Sequence, residues 1–320
     1  CYSASRGVPQ GSILGPVLFN LAVRKLPECV ASTKVRQFAD DVSVYKSGRD
    51  PQKLTADLAR DVLSIRNFLR DHGLKLNAEK TQFIIFRPKS KAVPANLQLS
   101  IDSTSIPPSA TIKYLGLLFD EHLTYRDHIT LLERKIGTKL AVFRKIKHNL
   151  TPAAKRVFYC SFIQAQLEYG SNAFAHSLQV SQMDRITRIS NRAVRIVFGY
   201  PKYYDASLVL ARNYLAAISL RYQFRLFVLV FRALHKLCSP LLSTCFLPRT
   251  ATSQTSAHTR SQSTLSLSLP LASRRYGLYS LSFLGSDRWN ALPADIRTIS
   301  LLRNFRSSIQ QFIGYPVKRP

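Results

Sequence analysis

Apolar residues along this chain follow two different rhythms. From Val35 to Phe38 and again from Val42 to Tyr45, strand-forming residues crowd two short runs, the pattern of a β-hairpin. Asp40 and Asp41 stand between them, with no Gly or Pro to make the turn ordinary. Leu54, Leu58, Ile65 and Leu69 then repeat at spacings of four, seven and four, which predicts a helix with Gly73 as its C-terminal cap. Thr81 to Phe86 reads as a strand, Leu97 to Ile106 as a further hairpin, and Thr111 to Phe119 as one more strand with Gly116 inside it. Ahead of all these, Gly7, Pro9, Gly11, Gly15 and Pro16 crowd a loop. Pro16 suits the first turn of a helix whose apolar face is Val17, Leu18, Leu21 and Leu26. Residues 1 to 125 therefore predict an α+β layer, a mainly antiparallel sheet with helices on one face.

From Asp127 onward the rhythm is helical. Ile129, Leu132, Ile136, Leu140 and Phe143 form one stripe, and Ile186, Ile189, Ala193 and Ile196 form another. Beside the second stripe run Arg185, Arg188, Arg192 and Arg195 at the same spacing. Four arginines in line along a helix can track a phosphate backbone; the competing reading is a solvated surface face. Residues 212 to 237 continue as apolar helix. Thr250 to Ser268 holds 11 Ser or Thr in 19 residues, a break that reads as a linker. Leu265 to Leu271 alternates like a strand, and Trp289-Asn290-Ala291-Leu292-Pro293 precedes a last helix, Leu301 to Ile313. The expected division is 1–125, 126–248, a linker at 249–282, and a small helical segment at 283–320.

Charge changes this picture most. Lys and Arg number 46 against 18 Asp and Glu, a net charge of +28. Residues 1 to 125 account for only +6 and residues 126 to 320 for +22. An imbalance of that size calls for a polyanionic partner. The longest apolar run, Leu226 to Phe231, is bracketed by Arg225 and Arg232, which rules out a membrane span there. Five scattered cysteines, odd in number and never in a Cys-x-x-Cys pair, argue against a disulfide framework or a zinc module and fit a reducing compartment. The chain begins with Cys rather than Met and reads as an N-terminally truncated fragment.

Asp40 and Asp41 sit in the nearly balanced part. Acidic residues are depleted in strands, so two of them at a hairpin tip either form a solvent-exposed turn or await a counter-ion. Mg²⁺ suits the second case, since it is held by one or two carboxylates together with waters and substrate phosphates.

Four segments in order now carry a resemblance. They are Arg-Gly-Val-Pro-Gln-Gly-Ser at 6 to 12, Phe-Ala-Asp-Asp at 38 to 41, Gly-Leu-Lys-Leu-Asn-Ala-Glu-Lys-Thr at 73 to 81, and Tyr-Leu-Gly at 114 to 116. Together they resemble motifs B, C, D and E of the reverse transcriptase domain of non-LTR (LINE-type) retrotransposons. That resemblance implies a right-hand polymerase palm, followed by a helical thumb and a mostly helical C-terminal region. It implies an RNA-directed DNA polymerase working on an RNA template, a DNA primer and dNTPs by two-metal nucleotidyl transfer with Mg²⁺. Asp40 would be the indispensable metal ligand and Asp41 the supporting one. Phe38 takes a position often held by Tyr in relatives. Gln10, Gly11 and Ser12 would lie under template and nucleotide, and Lys80 would give a proton to pyrophosphate. Tyr114, Leu115 and Gly116 would grip the primer, while Arg185, Arg188, Arg192 and Arg195 would hold the nucleic-acid backbone. Placement inside the cell, in nucleus or cytoplasm, follows from the family's need to reach chromosomal DNA.

The family's motif A aspartate and its fingers have no counterpart before motif B in these 320 residues. The expectation is therefore that this chain alone does not polymerise. The alternative functions are a non-catalytic RNA- or DNA-binding module and a domesticated interaction protein.

Overall fold

The structure, a computed structural model, describes residues 11–94, 96–101, 104–249, 265–272 and 275–316. It divides into two compact units, residues 1–123 and 124–320.

In the first unit, helix α1 (Gly15–Val23) starts with Pro in its first turn. Its inward face differs from the expected one. Val17, Leu18 and Leu21 are 50–55% exposed, while Gly15 and Val23 are buried and Phe19 packs against the same core. Residues 15, 19 and 23 share a face at spacings of four, so the buried face lies there and not on Val17, Leu18 and Leu21. Leu26, in the 3₁₀ turn after it, is fully buried.

Strands β1 (Lys34–Phe38) and β2 (Asp41–Tyr45) form the antiparallel hairpin, with Phe38 opposite Asp41. Helix α2 (Pro51–Asp71) begins where the Asp50 carboxylate accepts the N–H groups of Gln52 and Lys53, and ends before Gly73 at φ 72°. One part of α2 packs Ile65 and Leu69 against Val23, Leu26 and Val35. Another packs Leu58, Ala59 and Val62 against Phe83, Leu99, Ile101 and Ile106.

The remaining strands are β3 (Leu99–Ile101), β4 (Thr104–Ile106), β5 (Thr111–Tyr114) and β6 (Leu117–Asp120). Antiparallel pairing is observed, but as three separate two-stranded ribbons among the described residues, not as the one layer expected. Two local causes are visible. Thr81 to Phe86 contributes only a single bridge, Phe83 to Pro108, because proline lacks the N–H that would carry the ladder further. The run Thr111 to Phe119 is not one strand but the β5–β6 hairpin, turning at Leu115 (φ 44°) and Gly116 (φ 81°). Two successive left-handed residues are what a tight two-residue hairpin turn requires, and Gly116 supplies one without a Cβ penalty.

The second unit is helical: α3 (Arg126–Ile146), α4 (Pro152–Phe158), α5 (Ala165–Glu168), α6 (Ser171–Phe174), α7 (Val180–Phe198), α8 (Ala206–Arg212), α9 (Ile218–Leu234), α10 (Pro240–Ser243), α11 (Arg275–Leu278), α12 (Leu281–Asn290), α13 (Ala294–Arg297) and α14 (Leu302–Phe312). A π-helical turn, Tyr159–Gln164, joins α4 to α5. The expected stripe of α3 is the buried one, with Ile129, Leu132, Ile136, Leu140 and Phe143 all at 2% exposure or less. Glu168 ties α5 to α9, accepting from Arg221 and from Arg225 at 3.1 Å.

The C-terminal segments close on α9. Phe231 stacks on Phe305, and Phe305 on Trp289, all three at 0% exposure. Trp289 donates its indole N–H to Leu265 O at 2.9 Å, and Asn290 clamps the Leu267 backbone with two bonds of 2.8 Å. Residues 265–272 hold a bridge from Leu267 to Pro248, not a longer strand, and Leu267 sits in the same core as Phe246, Trp289 and Phe305. Residues 250–264 of the expected linker lie outside the described ones. Among the described residues, no helix is long and apolar enough to cross a membrane.

Candidate functional site

The site is built on the β1–β2 hairpin. Its turn is Ala39–Asp40, and Ala39 has φ 52°. A left-handed alanine costs about 1–2 kcal/mol, strain of the kind that collects at functional positions. Gln37 Nε2 donates to Ala39 O at 3.2 Å, which braces the turn. Asp40 and Asp41 are both exposed at the tip, one in the turn and one at the start of β2, and Phe38 before them is 64% exposed.

Three polar pins hold this hairpin from below. The Asp61 carboxylate, on α2 and 1% exposed, accepts the N–H groups of Ala31 (3.3 Å), Ser32 (2.9 Å) and Thr33 (2.8 Å), together with the Ser32 hydroxyl. Burial alone would push this carboxyl up; the donors gathered at its oxygens outweigh that and hold it at about 2. Residues 31–33 lead directly into β1, so this one carboxylate sets where the hairpin leaves the helix. Lys46, just past β2, pairs with Asp57 of α2 at 2.5 Å, a bond that lowers the Asp57 pKa. Ser43 Oγ lies 3.1 Å from the Tyr114 hydroxyl, joining β2 to β5.

The structure thus brings Tyr114 to the hairpin that carries Asp40 and Asp41. Leu115 and Gly116 form the turn just beyond it. Lys80 is exposed at the end of a 3₁₀ turn whose N–H bonds to Asn77 Oδ1 at 3.1 Å. Ser12 Oγ accepts the Gly15 N–H at 3.0 Å, so this hydroxyl is engaged at the start of α1. Gly11 has φ 84°, and among the described residues nothing lies within 4 Å of where a Cβ would be. Gln10 lies outside the described residues.

In the second unit the four arginines of α7 divide. Arg185 holds Glu133 by two bonds, 3.1 and 2.6 Å, plus the Thr130 hydroxyl, and Arg195 Nε donates to Tyr204 O at 2.7 Å. Arg188 and Arg192 are exposed, the former bonding back to Asp184 O at 3.3 Å. Half of the stripe is therefore spent inside the fold.

Mg²⁺ can be tested against these residues. Two exposed, adjacent carboxylates on a braced turn fit an ion that takes one or two carboxylates and keeps its waters. Among the described residues, no group of three or more His, Cys, Asp or Glu side chains converges. Asp61, Asp57 and Ser43 escape a reading based on motifs. The signal for the first two is spacing: Asp57, Asp61, Ile65 and Leu69 repeat every four residues, placing two carboxylates on the apolar face of a helix.

Residues 2–119 match the family described as reverse transcriptase (RNA-dependent DNA polymerase). Among curated proteins, the chain is 26% identical over 207 residues to the RNA-directed DNA polymerase from mobile element jockey of Drosophila melanogaster, covering 62% of this chain and 22% of that protein. It is 25% identical over 205 residues to the probable RNA-directed DNA polymerase from transposon X-element of the same fly, covering 62% and 22%. A third relative, the probable RNA-directed DNA polymerase from transposon BS, also of Drosophila melanogaster, is 26% identical over 207 residues, covering 62% and 23%. The chain thus spans less than a quarter of the length of each of these relatives. No solved structure matches it.

Proposed function

We propose, from the premise that residues 2–119 are a segment of a non-LTR retrotransposon reverse transcriptase domain, that the Asp40–Asp41 hairpin is the metal-holding part of an RNA-directed DNA polymerase site. The observation that carries this reading is the placement of two adjacent carboxylates at an exposed, strained tip whose base is pinned by Asp61. Asp40 and Asp41 would hold Mg²⁺, which when bound supplies positive charge to the phosphates and to the attacking hydroxyl. Lys80 would hold a proton for the departing pyrophosphate. The turn of Tyr114, Leu115 and Gly116 would bear on the primer, with Tyr114 kept in register by Ser43. The open, left-handed position of Gly11 favours close approach of a template base or nucleotide. RNA template, DNA primer and dNTPs are the partners this reading requires, and Arg188 and Arg192 are the exposed cations of α7 available to a phosphate backbone.

Metal binding tests the assignment directly. Mn²⁺, used as a paramagnetic stand-in for Mg²⁺, is expected to broaden amide signals of residues 38–43, and Asp40→Asn is expected to weaken its binding by about tenfold or more. Unchanged Mn²⁺ affinity in Asp40→Asn would overturn the assignment. With two carboxylates and no third converging among the described residues, the 320-residue chain alone is expected to bind metal without incorporating dNTPs on an RNA-templated primer; incorporation that survives Asp40→Asn would also defeat the reading.

A further inference from the structure

Between α7 and α8 the chain forms a short knuckle, Gly199 to Asp205, that the site described above does not use. It is firmly built. Gly199 ends α7 in the left-handed region at φ 79°, and the Tyr200 N–H returns to Arg195 O at 2.8 Å. The Tyr204 N–H closes a turn on Pro201 O at 3.1 Å, and Arg195 of α7 donates to Tyr204 O at 2.7 Å. The rings of Tyr200 and Tyr204 lie 4.8 Å apart, and the Arg212 guanidinium of α8 stands 5.8 Å from the centre of the Tyr204 ring. Asp205 caps α8 through Ser207 N at 2.9 Å and accepts the Ser207 hydroxyl as well.

At the apex of this braced turn, Lys202 is exposed and Tyr203 is 90% exposed. A tyrosine ring buries about 150–250 Å² when it packs, so one held out in water on a rigid support forgoes a large gain. Cations outnumber acids in its setting. Arg188, Arg192 and Lys202 are exposed and stand in a stretch with no acidic residue between Asp184 and Asp205, and the Asp205 carboxylate, still an anion, accepts from Ser207 at the start of α8. Arg192 and Arg212 are exposed on the two flanking helices.

We propose that this knuckle is a binding site for single-stranded nucleic acid, in which an unpaired base stacks on Tyr203 while Lys202, Arg192 and Arg212 meet the neighbouring phosphates. Stacking platforms set among cations are the physical basis of sequence-tolerant single-strand binding. The preference for a single strand follows from the ring itself, since a duplex hides the base faces that Tyr203 would cover. Rigidity matters equally, because a platform already fixed in place loses little freedom on binding. Metal chemistry at the Asp40 hairpin is not required, and the test below turns on Tyr203 and Lys202, which the polymerase assignment does not use.

The test uses the 320-residue chain and end-labelled 12-mers of oligouridine and oligodeoxythymidine, with an abasic deoxyribose backbone and a duplex of the same length as controls. Tyr203→Ala is expected to weaken single-strand binding by about 5- to 150-fold, the effect of one lost base stack, while Tyr203→Phe stays within about twofold. The two oligonucleotides tell whether the strand is RNA, DNA or either. Abasic and duplex binding are expected to change less than twofold in Tyr203→Ala. Lys202→Ala is expected to lower the dependence of log affinity on log salt by about 0.7. Tyr203 is exposed, so the variants keep the fold, and an unchanged unfolding midpoint checks it. Single-strand affinity unchanged in Tyr203→Ala, or an equal loss on the abasic backbone, would overturn the proposal and leave the knuckle as a contact for another protein.

Discussion

Among the described residues of the unit that carries Asp40 and Asp41, one buried apolar cluster gathers Val23, Leu26, Val35, Ile65 and Leu69, and another gathers Phe83, Leu99, Ile101 and Ile106. This unit leaves Ile13, Leu14 and Phe38 at 95, 65 and 64% exposure. The second unit instead closes α9, Phe246, Leu267, Trp289, Ile296, Phe305 and Ile309 into one cluster, with Val230, Phe231, Trp289, Phe305 and Ile309 fully buried. The difference lies in what fixes geometry. Apolar packing is not directional, so a large closed core can define position by volume alone. A small core does so less sharply, and in the first unit directed bonds add to the packing of Val35, Val42 and Val44 in placing the hairpin: Asp61 to three successive N–H groups, Lys46 to Asp57, and Ser43 to Tyr114.

The largest expected effect attacks the packed side. Phe305→Ala removes a ring stacked at 4.3 Å on Phe231 and 5.6 Å from Trp289, and is expected to cost about 3–5 kcal/mol. Trp289 is the only tryptophan in the chain, so denaturant unfolding followed by its fluorescence reports this unit and not the other. A loss below about 1 kcal/mol would mean that the cluster reorganises around the gap, and the contrast between packed and pinned units would fail.

Sequence patterning was most legible where the second unit is most tightly packed. All five positions of the Ile129 to Phe143 stripe are buried, because one long helix with one apolar face has one way to lie on a core. It was least legible in the first unit, where turns decide. The Leu115–Gly116 turn hides in a continuous apolar run because its first left-handed residue is a leucine. Val17, Leu18 and Leu21 advertise a buried face that the helix assigns to Gly15, Phe19 and Val23. Motif order along the chain points to Asp40, Asp41, Lys80 and Tyr114 as candidates; it does not reveal the partners of Asp61 and Ser43, whose contacts span 28 to 71 residues of sequence separation. Likewise the Trp289–Asn290 motif gave no chemistry as sequence, and the fold explains it as a clasp on Leu265 and Leu267.

Acid separates the two units next. His128 and His176 in the second unit are held at about 4, by burial first and then by Lys135 and Arg288 respectively. A histidine whose folded pKa is depressed stabilises the fold above its ordinary value near 6.5 and loses that contribution as pH falls toward 4. For His128, 2% exposed, this amounts to about 3 kcal/mol. Asp61 has the same sign in a lower window, because its stabilisation is complete above its ordinary pKa of 3.8 and is lost as pH falls toward 2. Trp289 fluorescence is therefore expected to record weakening between pH 6.5 and 4, while amide exchange at residues 31–33 holds until below pH 4. Asp61→Asn is expected to open those amides at pH 7 by about 2 kcal/mol, with the difference from wild type vanishing near pH 2. Equal exchange in both proteins at pH 7 would remove the pin from the argument.

The smallest effects come from two glycines that share one property and differ in another. A Cβ added at Gly137, within α3, would meet nothing within 4 Å among the described residues, and the same is true at Gly11. Only Gly11 has a positive φ, of 84°. Neither substitution clashes with a described residue, so the backbone decides the sign. Gly137→Ala removes unfolded-state freedom from a helix interior and is expected to stabilise the second unit by up to about 1 kcal/mol. Gly11→Ala forces a side chain into the left-handed region and is expected to destabilise the start of α1 by about 1 kcal/mol or slightly more. The first is read from the Trp289 unfolding midpoint and the second from amide exchange in residues 15–23. Opposite signs would show that the two units obey the same local backbone rules, leaving the difference between pinning and packing to tertiary structure. A destabilising Gly137→Ala would instead mean that α3 owes its conformation at that point to something other than helix propensity, and the comparison would have to be redrawn at the level of the helix itself.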